Sequence, residues 1–200
     1  LSNLSQAGKN GQFRTPRHII QMMAEILDPD IDGKICDLAC GSGGFLVGAY
    51  QHIITKYSKE KEIDENGFLK GTDRSNLDKE QVIKLNEKTF FGFDIDQTMV
   101  CIGMMNLMMH GITKPSIQHL DALSLDYEKL EALKLAENFN RKDKKIIESD
   151  KLRGQYKYIL ANPPFTGRIN SETVSENLDR IYPLKKDKAT GQLNRDSIVQ

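Results

Sequence analysis

The sequence predicts an α/β fold, with helices on both faces of a doubly wound, mainly parallel sheet. Strand-like and helix-like segments alternate along most of the chain, which is typical of parallel strands joined by crossover helices. The strand-like runs are short. Several of these runs are followed by glycine, proline or aspartate, residues that favour turns.

The first predicted helix lies in the segment TPRHIIQMMAEIL. Its apolar residues recur at the spacing of one helix face, and they are Ile19, Met22, Met23, Ile26 and Leu27. Thr15 is the predicted N-cap and Pro16 the first helical residue. A short strand from Lys34 to Leu38 follows, and the stretch GSGG then leads into a second helix.

The middle of the chain predicts two further strands. Residues 58–89 are charge-rich and predict a surface insertion that is partly helical. The segment TFFGFDID predicts the second strand, ending near Asp94, and QTMVCIGMMNLMMHG predicts a helix that ends at Gly111. We expect the methionines of that helix to fill the core. The third strand is predicted in SIQHLDAL.

A charged helix within residues 124–155 and a fourth strand in QYKYILANPPF complete the predicted core domain, residues 1–165. Residues 166–200 are rich in polar residues and predict a flexible loop. The chain begins at Leu1 and stops at Gln200 in a polar stretch, which indicates a fragment of a longer protein.

The composition limits the classes of function. Lys plus Arg total 28 and Asp plus Glu total 28, so the formal net charge is zero. A free-standing nucleic-acid binder usually has a basic excess, so any grip on nucleic acid is expected to come mostly from missing sequence or a partner. No apolar run approaches the roughly 20 residues of a membrane span. The three cysteines fit no zinc spacing, and reduced thiols without an export signal favour the cytoplasm.

The segment DLACGSGGF, from Asp37 to Phe45, predicts a ligand-binding turn after the first strand. In doubly wound sheets, ligands bind outside the carboxyl ends of the strands. The glycines at 41, 43 and 44 let the backbone turn tightly and let a ligand approach it. The segment lacks the Gly-Lys-Ser/Thr of a phosphate-binding loop and the third glycine of a dinucleotide site. A carboxylate at Asp37 suits a cationic or amine-bearing ligand, and the alternative is a plain β–α turn.

Acidic residues follow the next two strands. Asp94 closes the second strand, where a carboxylate can accept both ribose hydroxyls of a nucleoside. Asp96 is a weaker candidate, because an acid one step into a helix can simply favour its N-terminus. Asp121 follows the third strand and is predicted to bond the amino group of an adenine ring, with a plain loop acid as the alternative.

The segment NPPF follows the fourth strand and offers hydrogen-bond acceptors without donors. Because proline has no N–H, the side-chain oxygen of Asn162 and the carbonyl of Pro163 can converge on one NH₂ group, and Phe165 can stack on its ring. Such acceptors stabilise positive charge that develops on a weakly nucleophilic nitrogen. Together the four features predict S-adenosylmethionine as cofactor and in-line methyl transfer to an sp² amine.

The segments DLACGSGGF, GFDID and NPPF, preceded by GQFRTPRHIIQMM, resemble the modification subunit of type I restriction–modification systems. The resemblance runs from about Gln12 to Phe165. It implies a Rossmann-like methyltransferase sheet, of which this chain holds strands one to four, and a DNA adenine-N6 methyltransferase activity. It also implies that further strands follow the NPPF segment, which we call the acceptor turn. The fourth strand is then an exposed edge here.

The resemblance implies roles for particular residues. The methionine end of S-adenosylmethionine would contact a short run, namely Gln12, Phe13, Arg14, Thr15, Pro16 and Arg17. Gly41, Ser42, Gly43 and Gly44 would lie along the cofactor, and Asp94 would hold its ribose. A flipped adenine would enter among the catalytic residues, which are Asn162, Pro163, Pro164 and Phe165. The implied partners are double-stranded DNA, a specificity subunit and a restriction subunit.

Two other functions stay open at this point. The NPPF turn also serves methyltransferases that act on glutamine in proteins or on amines in RNA, although such a protein-glutamine enzyme is not expected to carry the FRTP segment. A non-catalytic cofactor-binding module is the other alternative, and the intact Asn162 argues against it.

Overall fold

The computed structural model describes residues 14–122 and 155–163, together with two short strands beyond them. The helices are α1 (Arg17–Leu27), α2 (Gly44–Tyr57), α3 (Lys79–Glu87) and α4 (Gln97–Met109). The strands are β1 (Ile35–Asp37), β2 (Lys61–Ile63), β3 (Leu69–Gly71), β4 (Phe90–Asp94), β5 (Ser116–His119), β6 (Tyr158–Ile159), β7 (Lys185–Lys186) and β8 (Leu193–Asn194).

Four parallel strands form the main sheet in the order β5-β4-β1-β6. β1 lies between β4 and β6, with Ile35 paired to Phe90 on one side and to Tyr158 on the other. The chain thus builds outward from β1 in one direction and later returns to its other side, which is the strand-order reversal of a doubly wound fold. The predicted fold class is confirmed, and β6 is one of the two edge strands of the described sheet, with β5 at the other side.

The core lies around β1 and α2. All three residues of β1 are buried. α2 buries one side against the sheet through Leu46, Ala49 and Ile53, each fully inaccessible. Because their spacing of three and four residues places them on one helix face, the helix packs flat on the strands.

The start of α1 differs from the prediction. Pro16, and not Thr15, is the N-cap, and the helix begins at Arg17. The backbone of Pro16 is extended in ψ, at 143°, and its carbonyl accepts hydrogen bonds from the N–H groups of Ile19 and Ile20. The proline itself therefore supplies the turn into the helix, without a side-chain cap hydrogen bond.

Residues 58–89 hold more structure than predicted. Besides the expected helical part, α3, they contain an antiparallel hairpin of β2 and β3. A capping box between Asp78 and Gln81 starts α3, whose Leu85 is fully buried. The residues of β2 are all exposed, so its sequence carries no alternation of apolar and polar residues. This is why the hairpin was not predicted.

Three of the five methionines of α4 do not fill the core as predicted, whereas Met104 packs against it. Met105, Met108 and Met109 are 62%, 54% and 84% exposed, and the buried residues of the helix are Val100, Gly103 and Leu107. α4 is apolar on nearly every side, so the spacing of its methionines could not identify the buried face. The predicted end of this helix is confirmed, because Gly111 follows it with a φ of 97°.

The chain divides into two compact units, and the predicted domain boundary at residue 165 stays a prediction. One unit contains residues 13–119 and 155–162 and holds the main sheet. The other contains residues 1–12, 120–154 and 163–200; its described parts are residues 120–122, Pro163 and the antiparallel pair β7–β8. The predicted helix of residues 124–155 and most of the predicted loop of residues 166–200 lie outside the described residues. Among the described helices, none has the length and apolar character to cross a membrane.

Candidate active site

The glycine turn, residues 38–43, connects β1 to α2 at the carboxyl end of the sheet. Gly41 and Gly43 have φ angles of 51° and 80°, a region that favours glycine, and Gly43 is the N-cap of α2. The N–H of Gly43 donates to the carbonyl of Cys40 at 2.8 Å, which closes the turn. Among the described residues other than its two chain neighbours, none has an atom within 4 Å of the position that a Cβ at Gly41 would take, so the backbone there leaves room for a ligand.

Asp94, the last residue of β4, holds this turn from the neighbouring strand. One carboxylate oxygen accepts a hydrogen bond from the N–H of Gly41 at 2.7 Å, and the other accepts one from the N–H of Asp96 at 2.8 Å. The side chain is half-buried, so each oxygen keeps lone pairs for a further donor. The arrangement is compatible with the ribose role predicted for Asp94, which stays a prediction. Asp96 is the N-cap of α4, as its alternative interpretation had it.

Asp37, the last residue of β1, is fully buried beneath the turn. One carboxylate oxygen accepts from the N–H of Ala39 at 3.1 Å, and the other has no hydrogen-bond partner among the described residues. Burial, with a smaller contribution from the negative charge of Asp94, raises the pKa of Asp37 to about 7. Asp37 therefore supports the turn from within, and its predicted contact with a cofactor stays a prediction.

Two residues of α4 also fix the glycine turn, and sequence reasoning missed both. The side-chain amide of Asn106 donates to the carbonyl of Ser42 at 2.8 Å. A Cβ at Gly103 would lie only 3.0 Å from the carbonyl oxygen of Gly41, so a glycine is needed where the helix passes the turn. The one available signal was an asparagine inside an otherwise apolar helix.

The acceptor turn starts where β6 ends, directly beside β1. The N–H of Leu160 donates to the carbonyl of Cys36 at 3.0 Å, which aligns the exit of β6 with that of β1. Two residues further, the Asn162 side-chain amide donates to the hydroxyl of Thr15 at 3.0 Å. The structure thereby brings together two segments that the sequence had singled out separately.

The remaining predicted site residues fall into three groups. Arg14, Pro16 and Arg17 are exposed, and Arg17 forms an ion pair with Glu65 at 3.7 Å. Asp121 and Pro163 are also exposed, but they belong to the other compact unit. Gln12, Phe13, Pro164 and Phe165 lie outside the described residues.

The sequence profile of N-6 DNA methylases matches residues 1–191. The chain belongs to the N-6 DNA methylase family. The resemblance to type I modification subunits is confirmed in the same way, because the chain is similar to named subunits of that kind. It is 27% identical to the type I restriction enzyme EcoEI methylase subunit of Escherichia coli over 202 residues, covering 100% of this chain and 32% of that protein.

The chain is also similar to a second type I restriction enzyme methylase subunit and to a solved structure. It is 26% identical to the MjaVII methylase subunit of Methanocaldococcus jannaschii over 180 residues, covering 88% of this chain and 23% of that protein. The crystal structure of a restriction-enzyme modification subunit from Vibrio vulnificus YJ016 matches with a TM-score of 0.53 and 24% identity, covering 96% of this chain and 36% of that one. This likeness shows the fold. The chain spans about a third or less of the length of its curated relatives.

Proposed function

We propose that this chain is the cofactor-binding and catalytic part of a DNA adenine-N6 methyltransferase, the modification subunit of a type I restriction–modification system. The observation that supports it best is that three features lie together at the carboxyl end of the sheet. β4, β1 and β6 are neighbours, and they end at Asp94, at the glycine turn and near Asn162. Family membership and this arrangement agree on the class of reaction.

The residues at the carboxyl end of the sheet fit S-adenosylmethionine. The open backbone at Gly41 leaves room for a ligand, and the half-buried Asp94 carboxylate beside it has lone pairs for ribose hydroxyls. Ile95 follows directly and is 70% exposed, which is unusual for an isoleucine and suits contact with the flat face of a base. When bound, the cofactor supplies a methyl group that passes from its sulfonium to the attacking nitrogen as the carbon–sulfur bond breaks.

The acceptor turn prepares the nitrogen for attack. The side-chain oxygen of Asn162 and the carbonyl of Pro163 accept hydrogen bonds from the adenine NH₂, which raises the electron density on nitrogen and stabilises the positive charge that develops there. The nitrogen loses one proton after the transfer. Because N6 lies inside a DNA duplex, the adenine must first leave the stack, at a cost of a few kcal/mol.

DNA and other subunits are the proposed partners. The EcoEI relative is named a subunit of a type I restriction enzyme, and the net charge of zero gives this chain no basic surplus of its own for the DNA backbone. A specificity subunit that reads the DNA sequence and a restriction subunit would complete the assembly. Double-stranded DNA would then be held mainly by residues outside this chain.

The test uses the complete parent protein together with its specificity subunit. Methyl-labelled S-adenosylmethionine and duplex DNA are supplied, the DNA is digested, and the labelled nucleoside is identified. We expect N6-methyladenine. Unlabelled DNA with label on protein glutamine would contradict the DNA function and support the protein-glutamine alternative, and the absence of label anywhere would support a non-catalytic binding module.

A further inference from the structure

The hydrogen bond between Thr15 and Asn162 joins residues that are 147 positions apart in the chain. Both side chains are half-buried, and both belong to the unit that holds the main sheet. Thr15 is anchored from its other side, because it directly precedes α1, which packs closely on α2. Ile20 of α1 leaves no room for a side chain at Gly48 of α2, where a Cβ would overlap the Ile20 Cγ2 atom.

The direction of this hydrogen bond determines how the Asn162 amide faces its surroundings. A carboxamide carries an acceptor oxygen at one end and an NH₂ donor at the other. Rotation by 180° about its last torsion exchanges the two ends with almost no change in shape. With the NH₂ bonded to Thr15, the oxygen points away from Thr15. With the opposite orientation, the NH₂ of Asn162 would face the NH₂ of an acceptor base, and two donors would oppose each other.

We propose that Thr15 is a positioning residue for the methyl transfer, because its hydroxyl oxygen holds the Asn162 amide with the carbonyl end toward the acceptor amine. This role rests on the proposed function of the acceptor turn and adds to the cofactor contact expected of Thr15. The two roles are compatible, since a hydroxyl accepts through its lone pairs and still has one hydrogen to donate. Valine has the same shape as threonine and can do neither.

The test separates positioning from cofactor binding in the full-length subunit with its specificity subunit. Single-turnover methylation of duplex DNA is measured at saturating S-adenosylmethionine for wild type, Thr15→Val and Thr15→Ser, and the cofactor Kd is measured by calorimetry for each. We expect Thr15→Val to lower the single-turnover rate about 10- to 100-fold, the loss that a misplaced reacting group causes. Thr15→Ser should restore most of the rate. An unchanged rate for Thr15→Val at saturating cofactor would overturn the proposal, whatever happens to Kd.

A second pair of variants covers the case in which Thr15→Val does not fold. Thr15→Ser and Thr15→Ala both lack the methyl group and differ by one oxygen atom, so the ratio of their rates isolates the hydroxyl. A ratio near one would overturn the proposal.

A third measurement does not depend on activity. In protein labelled with ¹⁵N at asparagine, the side-chain NH₂ signal of Asn162 is assigned by its loss in Asn162→Ala. Its hydrogens should exchange with water more slowly in wild type and Thr15→Ser than in Thr15→Ala, and equal exchange would contradict the proposal. If wild type methylates no DNA, the proposed function has failed, while this exchange experiment still decides the orienting role of Thr15.

Discussion

Two turns of this chain are each held by the carboxylate of one aspartate, and they differ in where that aspartate comes from. In the β2–β3 hairpin, Asp64 accepts from the N–H groups of Asn66 and Phe68, two and four residues away. At the carboxyl end of the sheet, Asp94 accepts from the N–H of Gly41, 53 residues away. The hairpin turn is thus specified locally, while the glycine turn depends on the register between β1 and β4. A substitution that alters the register between β1 and β4 should therefore distort the glycine turn and leave the hairpin turn unchanged.

The largest effect is expected at the acceptor turn. Asn162→Ala removes the side-chain oxygen that is proposed to face the acceptor amine, and loss of one such group costs about 10²- to 10³-fold in rate. Cofactor affinity should stay the same, since the glycine turn and Asp94 are untouched. Rates are measured by methyl transfer to DNA and affinity by calorimetry. Asn66→Ala in the hairpin is the matched control and should leave both quantities at wild-type values. Near-normal turnover of Asn162→Ala would remove the proposed role of the acceptor turn.

The next effect concerns the pH dependence of stability. The pKa of Asp37 is raised to about 7, so the folded protein binds one proton more than the unfolded chain between about pH 4 and pH 7. The free energy of unfolding should therefore fall as pH rises through this window, by about 1.4 kcal/mol per pH unit. Asp37→Asn cannot titrate and should gain about 2 to 3 kcal/mol on wild type between pH 5 and pH 7. Denaturant unfolding at several pH values measures this difference.

Asp73 in the hairpin region serves as the opposite case. Hydrogen bonds from Ser75 and from the N–H of Glu60 lower its pKa, so its contribution to stability is present above about pH 4 and is lost only as the pH falls below that value. Asp73→Asn should leave the slope of the free energy of unfolding against pH unchanged between pH 5 and pH 7.

The outcome that would contradict the raised pKa of Asp37 is a difference in the free energy of unfolding between Asp37→Asn and wild type that is the same at every pH. It would show that Asp37 is ionised in the folded protein.

A smaller effect is expected on cofactor affinity from Asp94. Asp94→Ala removes both the predicted ribose contact and the hydrogen bond to Gly41, so the Kd for S-adenosylmethionine should rise at least about tenfold, or 1.4 kcal/mol. Asp64→Ala removes the carboxylate that holds the hairpin turn and should leave the Kd unchanged. Calorimetric titration of the full chain measures both. Equal affinities for Asp94→Ala and wild type would exclude the ribose role.

The smallest effect is expected from Asn106, which holds the glycine turn through one hydrogen bond. Asn106→Ala should raise the cofactor Kd about threefold to tenfold, in line with the net worth of one hydrogen bond. Gln97→Ala lies on the same helix, α4, at an exposed position and serves as the control. A Kd for Asn106→Ala that equals that of the control would show that the turn keeps its shape without α4.

The same local and long-range distinction explains what the sequence could predict. The central strands and the glycine turn carry local signals: the apolar run of β1, the glycines that follow it and the aspartate that ends β4. These features, and the parallel fold built from them, were predicted correctly. The hairpin was missed because its strands are short and mostly exposed, and three methionines of α4 were wrongly assigned to the core because that helix is apolar all round.

The unpredicted part of the site consists of contacts between distant residues. Nothing near Asn106 in the sequence indicates that it bonds Ser42, 64 residues away. Thr15 and Asn162 were each singled out, but their hydrogen bond was not foreseen, because a pairing across 147 residues leaves no periodic pattern. Thr15 was instead predicted to cap α1, a local task that Pro16 performs.

The bond between Thr15 and Asn162 also has a consequence for the order of folding. Closing so long a loop carries a large entropic cost, so we expect this contact to form late. During synthesis, at about 5–20 residues per second, the glycine turn and Asp94 leave the ribosome several seconds before Asn162 does. A nascent chain would then acquire its proposed cofactor site first and its catalytic amide last, so that the ability to bind a methyl donor precedes the ability to transfer the methyl group.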